Sequence, residues 1–343
     1  MKGAVKKSYG AKGETIVTMN NAAIDRGAEA FIKVDVPAAW ASVGGEEEHE
    51  ASPNDFLREV VMPIAAQQGN TVPVSKFEAD GTFPTATSQY EKRGVAVKSP
   101  RWIAENCIQC NQCSFVCPHA VIRPYLLTAE EAENAPEGMP FVDAKGKNLS
   151  QYKYKIQVSA LDCVGCGSCA DVCPAKEKAL VMESLEELHR QEQPFYEYIH
   201  ALPLKNDVMN PFSVKGSQFK QPLFEFSGAC AGCGETPYVK LLTQLFGERM
   251  VIGNATGCSS IYGGTCPTCP YTVNTDGYGP SWANSLFEDT AEYAFGMHLA
   301  ISQTQQKLAD LVEEAVSFRA VGADLKHTFE RWLVERENAD ASI

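Results

Sequence analysis

Apolar positions recur at helical spacing in some stretches of this chain and alternate in others. Between Asp55 and Ala66, the residues Phe56, Val60, Val61 and Ile64 fall on one side of a helix. Tyr154-Lys155-Ile156-Gln157-Val158 alternates and reads as a short strand. A further helix is predicted from Thr236, with Thr236 as N-cap and Pro237 at the first position. Val239, Leu242, Leu245 and Phe246 give it one apolar face, and Gly247 ends it. Met250-Val251-Ile252 reads as a short buried strand running into Gly253-Asn254-Ala255-Thr256-Gly257-Cys258. A strand feeding a glycine-containing loop is the α/β arrangement that brings backbone close to a ligand. Beyond Trp282 the chain reads as helical to its end, with Leu308, Leu311, Val312 and Ala315 at i, i+3, i+4 and i+7.

Polar stretches separate these elements. Residues 1 to about 50 join a basic start, an amphipathic stretch and the acidic run Glu46-Glu47-Glu48-His49-Glu50, which reads as a solvated loop. Thr71 to Ala86 reads as extended loop. Thr128 to Asn148, rich in Ala, Glu, Pro and Gly, reads as a surface insertion. The expected organisation is an adaptor or linker over 1–94, a second domain over 95–204 and a third over 205–343.

Composition narrows the class. A chain of 343 residues with 44% apolar content has room for two or three domains with real cores. The net charge of −13 disfavours nucleic acid and anionic membrane as partners. Met1 to Gly10 carries three lysines with no apolar core after them, unlike a signal peptide, and no apolar run reaches the length of a membrane span. Thirteen cysteines in such a chain point to metal ligation in a reducing cytoplasm.

Eight of those cysteines form two runs that are the chain's only internal repeat. Cys107-Ile108-Gln109-Cys110-Asn111-Gln112-Cys113-Ser114-Phe115-Val116-Cys117-Pro118 and Cys163-Val164-Gly165-Cys166-Gly167-Ser168-Cys169-Ala170-Asp171-Val172-Cys173-Pro174 both read C-x2-C-x2-C-x3-C-P. This is the ligand run of bacterial two-cluster [4Fe–4S] ferredoxins, in which the fourth cysteine ligates the other cluster. Cys107, Cys110, Cys113 and Cys173 are thus assigned to one cluster, and Cys163, Cys166, Cys169 and Cys117 to the other. Small residues such as Gly165, Gly167 and Ser168 let the loop backbone approach its cluster. Structural zinc uses C-x2-C pairs without this doubled run, and disulfides need an oxidising compartment. The remaining cysteines are Cys230, Cys233, Cys258, Cys266 and Cys269. Cys230, Cys233 and Cys258 give three thiolates, one short of a cluster, while pairing 230/233 with 266/269 gives a zinc ribbon with an overlong gap.

Several stretches carry a family resemblance. Gly228-Ala229-Cys230-Ala231-Gly232-Cys233-Gly234-Glu235-Thr236-Pro237-Tyr238 resembles the pyruvate:ferredoxin (or flavodoxin) oxidoreductases. So do Thr256-Gly257-Cys258-Ser259-Ser260-Ile261-Tyr262-Gly263-Gly264 and Gly279-Pro280-Ser281-Trp282-Ala283-Asn284-Ser285-Leu286-Phe287-Glu288-Asp289. Thr82-Phe83-Pro84 followed by Gln89-Tyr90-Glu91-Lys92-Arg93-Gly94 is similar to the segment before the ferredoxin domain of the same family. The resemblance implies an α+β two-cluster ferredoxin-like domain followed by part of an α/β thiamine diphosphate-binding domain. It further implies three [4Fe–4S] clusters, with Cys230, Cys233 and Cys258 as ligands of the one nearest the thiamine. The resemblance also implies that Glu235 and Cys258 border the thiamine diphosphate, with Mg²⁺ and coenzyme A completing the enzyme. Pyruvate and coenzyme A would yield acetyl-CoA and CO₂, the electrons leaving singly to ferredoxin or flavodoxin.

Two departures from that family follow. Its fourth proximal ligand and its Gly-Asp-Gly motif are absent, which implies an internal portion, or one polypeptide of a split enzyme, that works with other domains or subunits in a homo-oligomer. Cys266 and Cys269 stand where the family has other residues and read as incidental thiols, or one of them as a replacement ligand. His119 reads as a local hydrogen-bonding group, His298 as packing, and Glu288-Asp289 as surface or interdomain contacts. Two other functions compete: a dicluster electron carrier serving another redox enzyme, and an oxidoreductase for a different 2-oxo acid.

Overall fold

The computed structural model describes residues 1–42, 54–265 and 267–338, so the acidic run at 46–50 and Cys266 lie outside the described residues. The chain divides into two compact units, Met1–Pro53 and Asn54–Ile343. In the first, α1 (Lys2–Tyr9) packs on α2 (Glu14–Glu29), joined by a Lys2–Asp25 ion pair. Neither helix holds a buried residue.

The second unit begins with the helical segment expected over 55–66, and its first turns are wider than an α-helix. Leu57–Val61 is a π-turn leading into α3 (Met62–Ala65). Pro63 has no N–H to give the preceding turn, which favours a non-α arrangement there. The wide turn buries Leu57 beside Val60 and Val61, while Phe56 stacks edge-on against Phe83 at 5.1 Å.

A twofold-like arrangement of strands follows. Its elements are β1 (Lys98–Trp102), α4 (Gln112–Phe115), β2 (Ile122–Leu127), α5 (Ala129–Glu133), β3 (Val142–Asp143), β4 (Lys153–Val158), α6 (Ser168–Asp171) and β5 (Leu180–Ser184). Each half runs strand, cysteine loop, one-turn helix, strand. The outer strands β1 and β5 pair antiparallel, as do the inner strands β2 and β4. Trp102, Val121, Ile122, Leu126, Tyr154, Ile156, Val158 and Leu180 fill the core between the halves. α7 (Leu185–His200) packs on β1, β4 and β5 and buries Leu188 and Ile199.

The stretch 128–148 is more than a surface loop. Thr128 opens α5 with a capping box: Glu131 N–H donates to Thr128 Oγ1 at 3.2 Å, and Thr128 N–H donates to Glu131 Oε2 at 2.8 Å. β3 then joins the free edge of β4, and Met139 and Ala144 are buried.

The third region contains α8 (Val214–Ser217), α9 (Thr236–Phe246), β6 (Val251–Ala255), α10 (Cys258–Gly264), β7 (Ser281–Ser285), α11 (Thr290–Ser317) and α12 (Ala323–Glu335). β6 and β7 pair in parallel, so the strand runs on to Ser285, where helix was expected directly beyond Trp282. β6 runs longer than predicted and is only partly buried, with Val251 exposed. Its packing centre is Phe224 against Tyr262 and Tyr271, edge to face at 5.7 and 4.9 Å. α11 carries the helical spacing expected of Leu308, Leu311, Val312 and Ala315 but buries Ala309 alone among its described residues; Leu308 and Leu311 are exposed, and so is His298, contrary to the packing role expected for it.

α9 reverses the prediction. Thr236, Lys240, Thr243 and Gln244 are buried, whereas Leu242 and Phe246 are 47% and 52% exposed. Lys240, Thr243 and Gln244 are satisfied by hydrogen bonds, which is what makes their burial tolerable. Lys240 Nζ donates to the carbonyls of Ser114 and Phe115. Thr243 Oγ1 accepts from Leu223 N–H at 3.2 Å and donates to Lys240 O at 2.7 Å. Gln244 Nε2 donates to Lys220 O at 2.9 Å, and its Oε1 accepts from Gln218 at 3.2 Å. The cap residue is Glu235, so Thr236 is the first helical residue rather than the cap.

Candidate metal centres

The two cysteine runs cross over. Cys107, Cys110, Cys113 and Cys173 line one cavity, walled by Trp102, Ile108, Tyr154, Ile156 and Leu180. Cys163, Cys166, Cys169 and Cys117 line the other, walled by Val121, Ile122, Val164 and Met182. The crossing follows from local structure. The third cysteine of each run sits in a one-turn helix, and the fourth lies beyond its C-cap, at Val116 or Val172, carried toward the opposite half.

The loops reach this shape through left-handed backbone at matched positions. φ is 60° at Gln109 and 62° at Asn111, and 70° at Gly165 and 80° at Gly167. Gln109 N–H donates to Cys107 Sγ and Gly165 N–H to Cys163 Sγ, both at 3.4 Å. Glycine takes such φ values freely, whereas glutamine and asparagine bear a steric cost. In the first loop, side-chain bonds offset it. Gln109 Nε2 donates to Asp143 O at 2.8 Å, and its Oε1 accepts from Lys145 N–H at 2.7 Å. Asn111 Nδ2 donates to Lys215 O at 2.9 Å, and its Oδ1 accepts from Tyr154 Oη–H at 2.6 Å. Sequence reasoning named the glycines and passed over Gln109 and Asn111, although alignment of the two runs puts them at the glycine positions.

Burial pushes the thiols of Cys107, Cys113, Cys163 and Cys169 up, and neighbouring cysteines of the same cavity add to the effect. Cys117 and Cys173 enter as such neighbours of the opposite run, in agreement with the crossing. Among the described residues no three His, Cys, Asp or Glu side chains converge tightly enough for a single metal ion. Four thiols spaced around an apolar cavity, with amides aimed at sulfur, suit a cluster with several iron corners better than tetrahedral zinc.

The third cysteine group is partly assembled. A Cβ at Gly232, where φ is 70°, would stand 3.7 Å from Cys166 Cβ and 3.9 Å from Ser168 Oγ. The Cys230–Cys233 loop therefore rests on the second cysteine loop. Buried His119 helps hold it: its Nδ1 lies 3.0 Å from Ser227 O, and its carbonyl accepts from Phe226 N–H at 2.9 Å. The hydrogen-bonding role expected of His119 is found, but its partners are distant in sequence rather than local. Burial pushes the Cys233 thiol up, but the N–H groups of Thr236 and Glu235 and the Thr236 hydroxyl outweigh it, and the net shift is downward. A helix start is where a thiolate is favoured.

Cys258 is exposed at the first residue of α10. Among the described residues no hydrogen bond or cavity brings it to Cys230 or Cys233. Tyr262 of α10 is buried, and burial, with the nearby Glu235 carboxylate, pushes its hydroxyl up. Cys269 packs beside the Phe224–Tyr262–Tyr271 cluster, its Sγ 3.7 Å from Tyr271 O.

A strap over 86–94 ties these parts together. Ala86 N–H donates to Tyr271 O at 2.7 Å and Ser88 Oγ to Glu225 O at 2.9 Å. Lys92 pairs with Asp162, and Gly94 N–H donates to Leu161 O at 2.9 Å, beside Cys163.

Known proteins match both the strap and the cysteine runs. Residues 106–177 match the family described as "4Fe-4S dicluster domain", and residues 45–96 match EKR, a "Domain of unknown function". The whole chain is 53% identical over 343 residues to "Pyruvate:ferredoxin oxidoreductase" of Moorella thermoacetica, spanning 29% of that protein. It is 48% identical over 350 residues to "Pyruvate-flavodoxin oxidoreductase" of Enterobacter agglomerans, again 29% of the relative. For "Pyruvate dehydrogenase [NADP(+)]" of Cryptosporidium parvum, identity is 45% over 92% of this chain and 18% of the relative. The chain thus spans under a third of the curated relatives it matches.

Proposed function

Starting from a chain homologous over its whole length to a segment of the pyruvate:ferredoxin and pyruvate-flavodoxin oxidoreductases, with a 4Fe-4S dicluster domain inside it, we propose that it is the electron relay of such an enzyme. In this reading residues 95–204 hold two [4Fe–4S] clusters, and 205–343 supply part of the thiamine diphosphate-binding region. The single observation that carries it is the crossing of two cysteine quartets into two cavities.

Cys107, Cys110, Cys113 and Cys173 would hold one cluster, and Cys163, Cys166, Cys169 and Cys117 the other. Cys230, Cys233 and Cys258 are proposed as part of a third, with Glu235 and Cys258 beside the thiamine. Bound there, the clusters pass electrons one at a time. The chain's own residues surround each cavity with apolar walls and turn amides toward sulfur, features that set a cluster's potential. The contact of the Cys230–Cys233 loop with Cys166 supports an order from the third group, to the cavity of Cys163, to the cavity of Cys107.

The complete enzyme would oxidise pyruvate with coenzyme A to acetyl-CoA and CO₂, with thiamine diphosphate and Mg²⁺ held jointly with the remaining domains or subunits. Relatives' names differ in acceptor, and ferredoxin or flavodoxin is proposed here. A cytoplasmic homo-oligomer is the expected setting; among the described residues no helix is long and apolar enough to cross a membrane.

The test is anaerobic iron, sulfide and zinc content of the chain, with EPR of the reduced sample. About eight irons with two interacting signals supports the two-cluster relay, and about twelve adds the third cluster. Zinc in place of iron, or about four irons, refutes it.

A further inference from the structure

The two one-turn helices that carry the third cysteines end in the same way and are capped by different lysines. Lys178 Nζ donates to Ala170 O at 2.9 Å, Asp171 O at 3.0 Å and Cys173 O at 2.8 Å. Lys240 Nζ donates to Ser114 O and, at 3.3 Å, to Phe115 O. Ser114 and Phe115 follow Cys113 as Ala170 and Asp171 follow Cys169, so the two caps are equivalent by the internal twofold. Cations suit helix C-termini, so the shared position needs no special account. The differences do. Lys178 lies a few residues downstream on the same half and is exposed. Lys240 comes from α9 of the third region and is 1% exposed. Among the described residues no carboxylate pairs with Lys240; burial pulls its ammonium down, and of its charged neighbours the Cys117 thiol, of the second cavity, bears on it first, ahead of Arg123, which is itself paired with Glu225.

We propose that Lys240 is a redox-tuning residue: a buried, carboxylate-free cation that the third region inserts between the two ferredoxin cluster sites. This rests on reading the eight cysteines as cluster ligands. Cys113 belongs to one cavity and Cys117 to the other, and Lys240 is bonded to the carbonyls of the two residues that follow Cys113. Reducing a cluster adds one negative charge. A fixed cation in low dielectric makes that addition easier, and solvent screens it far less than it screens Lys178. Lys240 therefore raises the potentials of both clusters. Because α9 also begins beside Cys233, docking of the third region both abuts the relay and sets its driving force.

The experiment is an EPR-monitored redox titration of the cluster-loaded chain and its Lys240→Met, Lys240→Gln, Lys240→Arg and Lys178→Met variants, with iron measured first. Gln keeps a hydrogen-bond donor at the Ser114 carbonyl and removes the charge. Expected is wild-type iron content with a tenfold or greater loss of reducibility in the Met and Gln variants, tenfold being about 59 mV for a one-electron couple. Lys240→Arg stays near wild type and Lys178→Met moves less. Unchanged midpoints in iron-replete Lys240→Met and Lys240→Gln overturn the proposal. So does an equal shift in Lys178→Met. Iron loss from both neutral variants, with Lys240→Arg intact, makes Lys240 a folding residue and overturns it as well. A wild-type chain without iron removes the cluster reading itself, and is recognised before any potential is measured.

Discussion

Gly165 and Gly167 offer a matched pair for testing how the second loop is built. Both have left-handed backbone, at φ 70° and 80°. A Cβ on Gly167 would meet nothing within 4 Å, whereas one on Gly165 would meet Lys98 O at 3.0 Å and Ala96 Cβ at 3.3 Å. Lys98 O belongs to β1, which is fixed in register against β5, so the carbonyl cannot retreat freely. Gly167→Ala should cost the left-handed penalty alone, about 1–2 kcal/mol. Gly165→Ala adds overpacking against backbone, a further ~1–3 kcal/mol. The assay is anaerobic release of iron to a chelator, where each ~1.4 kcal/mol of easier loop opening is about tenfold in rate. The Gly165 variant should release iron from the second site about five- to a hundredfold faster than the Gly167 variant. Equal rates would refute the claim that close approach, rather than φ, fixes Gly165.

Four further outcomes are expected. Cys117→Ser should empty the site of the later run, leaving about four irons and the EPR signal of the first-loop cluster; loss of that cluster instead would uncross the ligands. Asn111→Ala leaves the buried Tyr154 hydroxyl without its acceptor and should lower stability by about 1–3 kcal/mol in a thermal melt; a change under about 0.5 kcal/mol would contradict the locking role. Lys155 is fully buried 4.0 Å from Glu192, and burial pulls it down to about 8. Its folded value is depressed, so the folded state holds fewer protons than the unfolded one between pH 8 and 10.5, and stability rises with pH there, by up to about 3 kcal/mol; Lys155→Met should flatten that rise in denaturant titrations. Thr243→Ala should cost about 1–2 kcal/mol through the orphaned Leu223 N–H, while Leu242→Ser stays within about 0.5 kcal/mol; the reverse order would restore the predicted face of α9.

The elements that were legible in the sequence are those whose type the local pattern sets, whichever face ends up buried. The strand at Lys153–Val158, the helix at Thr236–Phe246 and the cysteine loops are of this kind. The face of α9 was not legible, because periodicity reports that a helix has two sides, not which side meets protein. Lys240, Thr243 and Gln244 pack inward only because carbonyls more than a hundred residues away, and an amide at Leu223, await them. The exposed apolar side of α9 and the outward leucines of α11 are apolar for a reason this portion alone does not use. Gln109 and Asn111 were missed for a related cause: their backbone is strained on its own and becomes favourable only once Asp143, Lys145, Tyr154 and Lys215 are in place. Thr128-x-x-Glu131 is a legible capping box inside the stretch read only as a surface insertion.

The crossed cysteines also impose a timetable on biosynthesis. With ligands shared as proposed, the first-loop site waits for Cys173 and the second-loop site, already owning Cys117, waits for Cys169. A ribosome adds the four residues between those events in under about one second. Iron delivered to a growing chain therefore meets either two unfinished sites or two finished ones. A chain stopped anywhere between 117 and 169 presents several thiols and not one complete ligand set, so half-length products carry no half-function to be scavenged, only cysteine to be degraded.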